Sequence, residues 1–194
     1  MVSNSSLHPP KTLTGEPMSR LDQWIVKIGN WIGWLYFCAV FISIFEVFMR
    51  YGFNRPTSWA HEITLMLVGI GMLWGGAYCM AEDRHIRVTV VRDALSPQIR
   101  VIVDGIVGIL NLLFCAGLTW AGFIMAKKAL FDPTGAFRMQ RSGSAFNSPA
   151  PAIVKTILFI VVALMVIQAI QQLYKKIRII LATFGKPDSL KGDM

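Results

Sequence analysis

Four long apolar stretches dominate the chain, and each is bounded by charged or turn-forming residues. They cover 28–45, 63–81, 105–126 and 156–174, and none of them contains Asp, Glu, Lys or Arg. A helix needs about 20 mostly apolar residues to cross roughly 30 Å of hydrocarbon. The pattern therefore predicts an all-α membrane protein with four transmembrane helices, over about 24–51, 59–81, 99–130 and 152–174.

The segment between the second and third stretches is too charged to span a membrane. On a helical wheel, Ile86, Val88 and Val91 fall in a broad apolar arc, and Arg92 lies opposite. This pattern predicts an additional amphipathic helix lying in the membrane interface. The alternation from 85 to 90 also fits a short strand, but a strand at a membrane surface would have no partner. The polar residues assigned to this interfacial helix are His85, Arg87 and Arg92.

The two ends of the chain differ from its apolar middle. Residues 1–20 are polar and contain several prolines, without the short apolar core of a signal peptide. We expect three parts: a disordered cytoplasmic tail over 1–20, a four-helix membrane domain over 21–176, and a basic cytoplasmic tail over 177–194.

Composition agrees with a membrane protein, because 54% of the residues are hydrophobic and only 15% are charged. The net charge of +8 does not indicate a nucleic-acid partner, since basic residues flank membrane spans and set their topology. Most of the 19 Lys and Arg residues fall on the side of the termini, which predicts that both termini are cytoplasmic. Lys127 and Lys128 fall on the opposite side.

The inventory of reactive residues excludes the common enzyme and cofactor classes. Histidine occurs only at positions 8, 61 and 85, and the three cysteines lie in three different stretches. No HExxH, GxSxG or P-loop motif is present, so we expect no catalytic residues, no metal site and no cofactor in this chain. Transport sites usually place ionisable groups near the middle of the membrane, whereas here they gather at the ends of the spans.

The richest cluster of polar and aromatic residues lies where the first span ends and the second begins. Glu46 and Arg50 are spaced i, i+4 for an ion pair, and Thr57 or Ser58 is placed to cap the second helix. Charges near lipid have to be paired, so a clamp between the two helices is one interpretation. The other is a surface for a partner protein, since Tyr, Trp and Arg dominate such interfaces. The cluster comprises Glu46, Arg50, Tyr51, Asn54, Arg55, Trp59, His61 and Glu62.

The second apolar stretch is rich in glycine. Gly71 and Gly75 have GxxxG spacing, which allows two helices to approach closely in lipid. We therefore predict a crowded helix contact at these two positions.

The hairpin cluster also resembles a known family. Its order of residues is similar to E-x-x-x-R-Y-x-x-N-x-P-x-x-W-x-x-E, the first-hairpin signature of the small membrane subunit of TRAP transporters, the DctQ-type family. The segment "HIRVTVVRDALSP" at 85–97 resembles the H-I-x-V-x-x-x-x-x-x-L-P segment of that family, except that Ser96 precedes the proline. Four spans in a chain of 194 residues also match.

The resemblance implies a tripartite, ATP-independent uptake system. In such a system an extracytoplasmic solute-binding protein captures an organic acid, and a large polytopic membrane subunit moves it together with sodium. This chain would be the non-catalytic scaffold that braces the large subunit in the bacterial inner membrane, in contact with membrane lipids. Sodium would bind the large partner subunit rather than this chain.

A different class of function is an independent, homo-oligomeric four-helix exporter of small cations. Glu46 would then be its coupling carboxylate, which requires that residue to lie well inside the bilayer. The sequence places Glu46 near the end of the first span instead.

Overall fold

The computed structural model describes residues 18–82 and 96–184. Their main elements are four helices: α1, Arg20–Val47; α2, Ala60–Ala81; α3, Pro97–Leu130; and α4, Ala150–Phe184. A π-helical turn, Phe48–Gly52, follows α1 directly. All four helices are long and apolar enough to cross a membrane, and the described residues contain no β-strand. The four predicted spans are therefore confirmed, and the protein is a multi-pass membrane protein.

Two helix boundaries differ from the predicted spans. α1 starts at Arg20 because Ser19 caps it: the Ser19 hydroxyl accepts the backbone N–H of Asp22 at 3.1 Å. α4 continues to Phe184, ten residues beyond the predicted end of the fourth span. The predicted interfacial helix, with His85, Arg87 and Arg92, lies outside the described residues.

The predicted cap of α2 is wrong. Trp59 precedes Ala60 at the N-cap position, and no side chain caps the helix. The Thr57 hydroxyl instead donates to the Glu46 carboxylate of α1 and accepts from none of the first N–H groups of α2.

The broad contacts between helices follow the order α1, α2, α4, α3 across the described residues. α1 packs along α2, α2 packs along α4, and α4 packs along α3. The helices thus form an open row with α1 at one edge and α3 at the other. Only 6% of the most apolar window of α1 is buried, and even in α4 the share is 22%. These faces need lipid or another protein to cover them.

The end of the row that carries the start of α1 has a small core with a polar connection. Ile25, Ala77 and Val161 pack together from α1, α2 and α4. Beside them, the buried Gln168 amide donates to Asp22 Oδ1 at 2.9 Å and to the Ala77 carbonyl at 3.3 Å. One side chain of α4 therefore joins all three helices, and its bonds are strong because water is excluded.

The two glycines predicted to pack α2 behave differently. A Cβ atom added at Gly71 would lie 2.6 Å from the ring of Tyr36 in α1, so only a glycine fits without a shift of that ring. A Cβ added at Gly75 would meet nothing within 4 Å. Both glycines line a cavity of about 310 Å³ between α1 and α2, which leaves space beside Gly75.

Candidate functional site

Two loops meet at the end of the row opposite the start of α1 and the end of α4, which we call the hairpin end. The loops are residues 48–59, between α1 and α2, and residues 131–149, between α3 and α4. Glu46 and Glu62 lie beside these loops, and each accepts several hydrogen bonds from them. The two carboxylates therefore connect the helices to the loops at this end.

The first loop turns back sharply because its backbone departs from regular helix. The π-helical turn widens the end of α1, and the Arg55 N–H bonds the Met49 carbonyl at 2.9 Å. Asn54 has a φ of 53°, a left-handed conformation that asparagine tolerates better than most residues. As a result, Thr57 lies beside a residue eleven positions earlier in the chain.

The Glu46 carboxylate divides its two oxygens between a cation and the loop. Oε1 accepts from Arg50 Nη2 at 2.7 Å and from Nε at 3.1 Å. Oε2 accepts from the Thr57 backbone N–H at 3.0 Å and from the Thr57 hydroxyl. The Glu46 side chain is only 13% exposed, whereas that of Arg50 is 53% exposed. Glu46 therefore fixes the loop to α1, and Arg50 covers the carboxylate from outside.

An aromatic contact supports the same geometry. Trp59, immediately before α2, stacks on Phe45 of α1 with 6.0 Å between ring centroids. Such offset stacking is favourable beyond the area it buries. The two helices of the hairpin are thus joined by the hydrogen bonds between Glu46 and Thr57 and by the stacking of Phe45 on Trp59.

The Glu62 carboxylate binds the second loop. Oε1 accepts from the Ser142 hydroxyl at 2.9 Å and from Ser144, and Oε2 accepts from Ser148. Hydrogen bonds to an ionised carboxylate are stronger than those between neutral groups. We call Glu62 and these three serines the serine clasp. It ties α2 to a loop about 80 residues further along the chain.

The backbone of the second loop brings the three serines to one point. Gly143 and Asn147 both have positive φ angles, 71° and 48°, and the Ser142 N–H bonds the Ser148 carbonyl at 3.0 Å. Arg141 also donates to the Asn147 carbonyl at 3.2 Å. The loop is therefore closed on itself before it meets Glu62.

The other polar residues of the predicted cluster form no hydrogen bond with either carboxylate in the described chain. Tyr51, Asn54, Arg55 and His61 are exposed, and Tyr51 is 81% exposed. Arg55 forms no ion pair within residues 18–82 and 96–184. The expected i, i+4 pair of Glu46 with Arg50 forms at the end of the first span. The expected pairing of charges across the hairpin does not form among the described residues, because Glu62 binds serines of the second loop instead.

The four hydroxyl residues that donate hydrogen bonds to the two carboxylates were not predicted from the sequence. Thr57 was expected as a possible helix cap, but in the structure its hydroxyl binds Glu46 and caps no helix. The three serines lie in a Gly-, Ser- and Pro-rich loop, which is a signal for irregular structure but not for a distant partner.

The geometry of the two carboxylates suits structural binding. All four oxygens of the two carboxylates accept hydrogen bonds. No group of three or more His, Cys, Asp or Glu side chains suited to a metal occurs in the described part of the chain. What the arrangement does is hold two loops rigidly at one end of the row, beside exposed Tyr, Asn and Arg side chains.

Comparison with known families identifies one match. A family model described as "Tripartite ATP-independent periplasmic transporters, DctQ component" matches residues 39–179, which include both carboxylates and the serine clasp. No curated protein matches the chain.

Proposed function

The chain belongs to the DctQ component family of tripartite ATP-independent periplasmic transporters and is thus a small membrane subunit of such a transporter, and we propose that it braces the large transport subunit in the bilayer. The observation that carries the bracing role is the open row of helices. A small subunit that worked alone would be expected to bury more of its apolar surface within a closed bundle.

The exposed apolar faces support a partner within the membrane. Trp31 and Phe41 on α1 and Phe114 on α3 are all largely exposed. Lipid satisfies such faces, and so does a second membrane protein, because van der Waals packing drives helix association in lipid. The open row of four helices therefore presents a long apolar face on which a second membrane protein could pack.

The distribution of charge supports a non-transporting role for this chain. The charged residues lie toward the ends of the helices, and the central stretches 28–45, 63–81, 105–126 and 156–174 contain no Asp, Glu, Lys or Arg. A solute or ion path through the chain would need polar groups near the middle of the membrane. The transported solute and its coupling ion therefore bind the large subunit in this proposal.

The family works as a tripartite system, and from it we take the other partners. A solute-binding protein outside the inner membrane delivers an organic acid, and uptake is coupled to sodium. Both termini face the cytoplasm, so the hairpin end faces outward, where Tyr51, Asn54 and Arg55 are exposed to either partner.

Reconstitution tests this function. The chain and the large subunit encoded beside it are placed in proteoliposomes, with the solute-binding protein and an inward sodium gradient. We expect uptake of the organic acid with both membrane subunits, at least about tenfold less when this chain is omitted, and none from the chain alone. Uptake that is equal without this chain would contradict the proposal.

The same vesicles test the exporter alternative, for which Glu46 is the critical residue. In the structure both Glu46 oxygens are occupied by Arg50 and Thr57. We therefore expect no proton-coupled efflux of cations from vesicles that contain the chain alone. Efflux that is abolished by Glu46→Gln would establish the exporter instead.

A further inference from the structure

A groove runs along the outer face of α3 at the hairpin end. It has a volume of about 940 Å³ and ends at the turn that follows the helix. Its lining includes Trp120, Phe123, Ile124, Lys127 and Lys128. Because α3 is an edge of the row and its broad contacts are with α4 alone among the described helices, this groove opens toward the membrane.

The groove is apolar along the helix and cationic at its outer end. Trp120, Ile124 and Lys127 follow one another at helical spacing, so they share a single face. From Trp120 to Lys128 the face extends about 12 Å at 1.5 Å per residue. The apolar part is exposed, with Trp120 69% accessible, and the two lysines stand one or two turns further toward the end of the span.

The two lysines have no acidic partner among the described residues. The nearest carboxylate in the groove lining, Asp132, pairs with Arg138 at 3.8 Å. Their position also opposes the charge bias that predicts cytoplasmic termini, because they lie at the hairpin end. A reason other than topology is therefore needed for two adjacent cations there.

The rim of the groove has a fixed shape. The turn after α3 closes through Gly135, whose φ is 84°, and through one hydrogen bond from the Asp132 N–H to the Ala136 carbonyl at 3.0 Å. Phe131 and Phe137 pack edge to face across this turn. A neighbouring cavity of about 730 Å³ shares Lys128 and adds Arg138 and Arg141, so the cationic region extends beyond the groove.

We propose that this groove binds one anionic phospholipid, with its phosphate between Lys127 and Lys128 and the upper part of an acyl chain along Trp120 and Phe123. The charge of the lysines selects the headgroup, and each basic residue near a membrane surface favours anionic lipid. The apolar face selects a lipid over free phosphate, since inorganic phosphate would leave that face uncovered. This site is independent of the transport role proposed above.

Native mass spectrometry measures the binding directly. The full-length chain is purified together with any subunit that accompanies it, delipidated, and titrated with phosphatidylglycerol or phosphatidylcholine of identical acyl chains. We expect one phosphatidylglycerol to bind about tenfold more tightly than phosphatidylcholine. Equal affinity for the two lipids would overturn the proposal.

Variants locate the binding. Lys127→Gln with Lys128→Gln removes the preference for phosphatidylglycerol. The matched pair Arg20→Gln with Lys27→Gln removes the same charge from the start of α1, at the opposite end of the row, and leaves the preference intact. Equal loss in both pairs would mean a general charge effect and would overturn the site.

A third variant tests the apolar half of the site without changing charge. Trp120→Ala weakens phosphatidylglycerol binding severalfold and leaves the preference over phosphatidylcholine in place. Millimolar inorganic phosphate does not displace the lipid. Unchanged affinity in Trp120→Ala, or displacement by phosphate, would show that only the cations bind and would contradict the proposed lipid.

Discussion

Glu62 shows how one carboxylate can determine the position of a distant loop. Three serine hydroxyls from residues 142–148 point at it, and it sits in the first turn of α2. Within the described residues, no other side-chain hydrogen bonds tie this loop to α2. The loop is therefore expected to depend on the Glu62 charge.

Glu62→Gln tests the serine clasp at the residue scale. The amide keeps the size of the side chain but replaces one acceptor by a donor and removes the charge, so the serine bonds weaken. We expect backbone amides of 141–149 to exchange with deuterium about fivefold faster, as measured by mass spectrometry. His61→Gln, an exposed neighbour with no bond to the loop, should leave exchange unchanged. A Glu62→Gln variant with native exchange would show that the loop is held by other contacts.

Only some of the hydrogen bonds of these carboxylates could be predicted from the sequence. The Glu46–Arg50 pair follows from spacing along one helix, so local geometry was sufficient to predict it. The bond from Ser142 to Glu62 joins residues 80 positions apart, and no local pattern encodes that distance. The role of Thr57 was missed for a related reason: its position before α2 is typical of a helix cap, whereas its bond to Glu46 joins residues eleven positions apart.

Between elements, Gln168 links three helices near the start of α1. It is 1% exposed and donates to a carboxylate on α1 and a carbonyl on α2. The sequence shows Gln168, Gln171 and Gln172 in the fourth stretch without distinguishing them. The structure separates them by their amide nitrogens. That of Gln168 donates two hydrogen bonds, whereas the Gln171 side chain forms no hydrogen bond within the described residues. The side-chain oxygens of both are buried without a partner there.

This difference gives a matched pair of substitutions. Gln168→Leu leaves the buried Asp22 carboxylate and the Ala77 carbonyl short of a donor, which costs about 1–3 kcal/mol. Gln171→Leu removes a polar atom that has no partner, so we expect no loss and a small gain. Thermal unfolding in detergent, followed by the fluorescence of a thiol dye, compares the two. Equal melting temperatures for Gln168→Leu and the native chain would contradict the polar connection.

The glycines of α2 make a second comparison at the element scale. Gly71→Ala forces the Tyr36 ring away from α2, which we expect to destabilise the α1–α2 contact by about 1 kcal/mol. Gly75→Ala meets no atom within 4 Å and should be neutral or slightly stabilising, since alanine favours helix. Chemical unfolding of both variants in the same detergent measures the difference. A larger loss of stability for Gly75→Ala than for Gly71→Ala would contradict the assignment of the close helix contact to Gly71.

The GxxxG pattern thus predicted a close approach but not which glycine makes it. Periodicity identifies a face of small residues, while the rotation of the neighbouring helix decides where a ring is placed. Here Tyr36 lies over Gly71, and the space beside Gly75 stays open as part of a cavity.

At the scale of the whole molecule, the four spans were predictable and their arrangement was not. Apolar length alone sets the number of helices that cross a membrane. The order α1, α2, α4, α3 depends on which faces meet, and lipid-facing and protein-facing surfaces are equally apolar in sequence. The open row is therefore a structural result, and it is what points to a partner in the membrane.

The proposed function requires this chain to associate stably with a large membrane subunit. Co-purification of the two subunits tests this association. The chain carries an affinity tag at its C-terminus and is expressed with its genomic neighbours, then extracted in mild detergent and weighed by native mass spectrometry. We expect a stable complex of one copy of this 21.7 kDa chain with one large polytopic subunit. A homo-oligomer of the tagged chain, with the large subunit present in the membrane but absent from the purified particle, would contradict it.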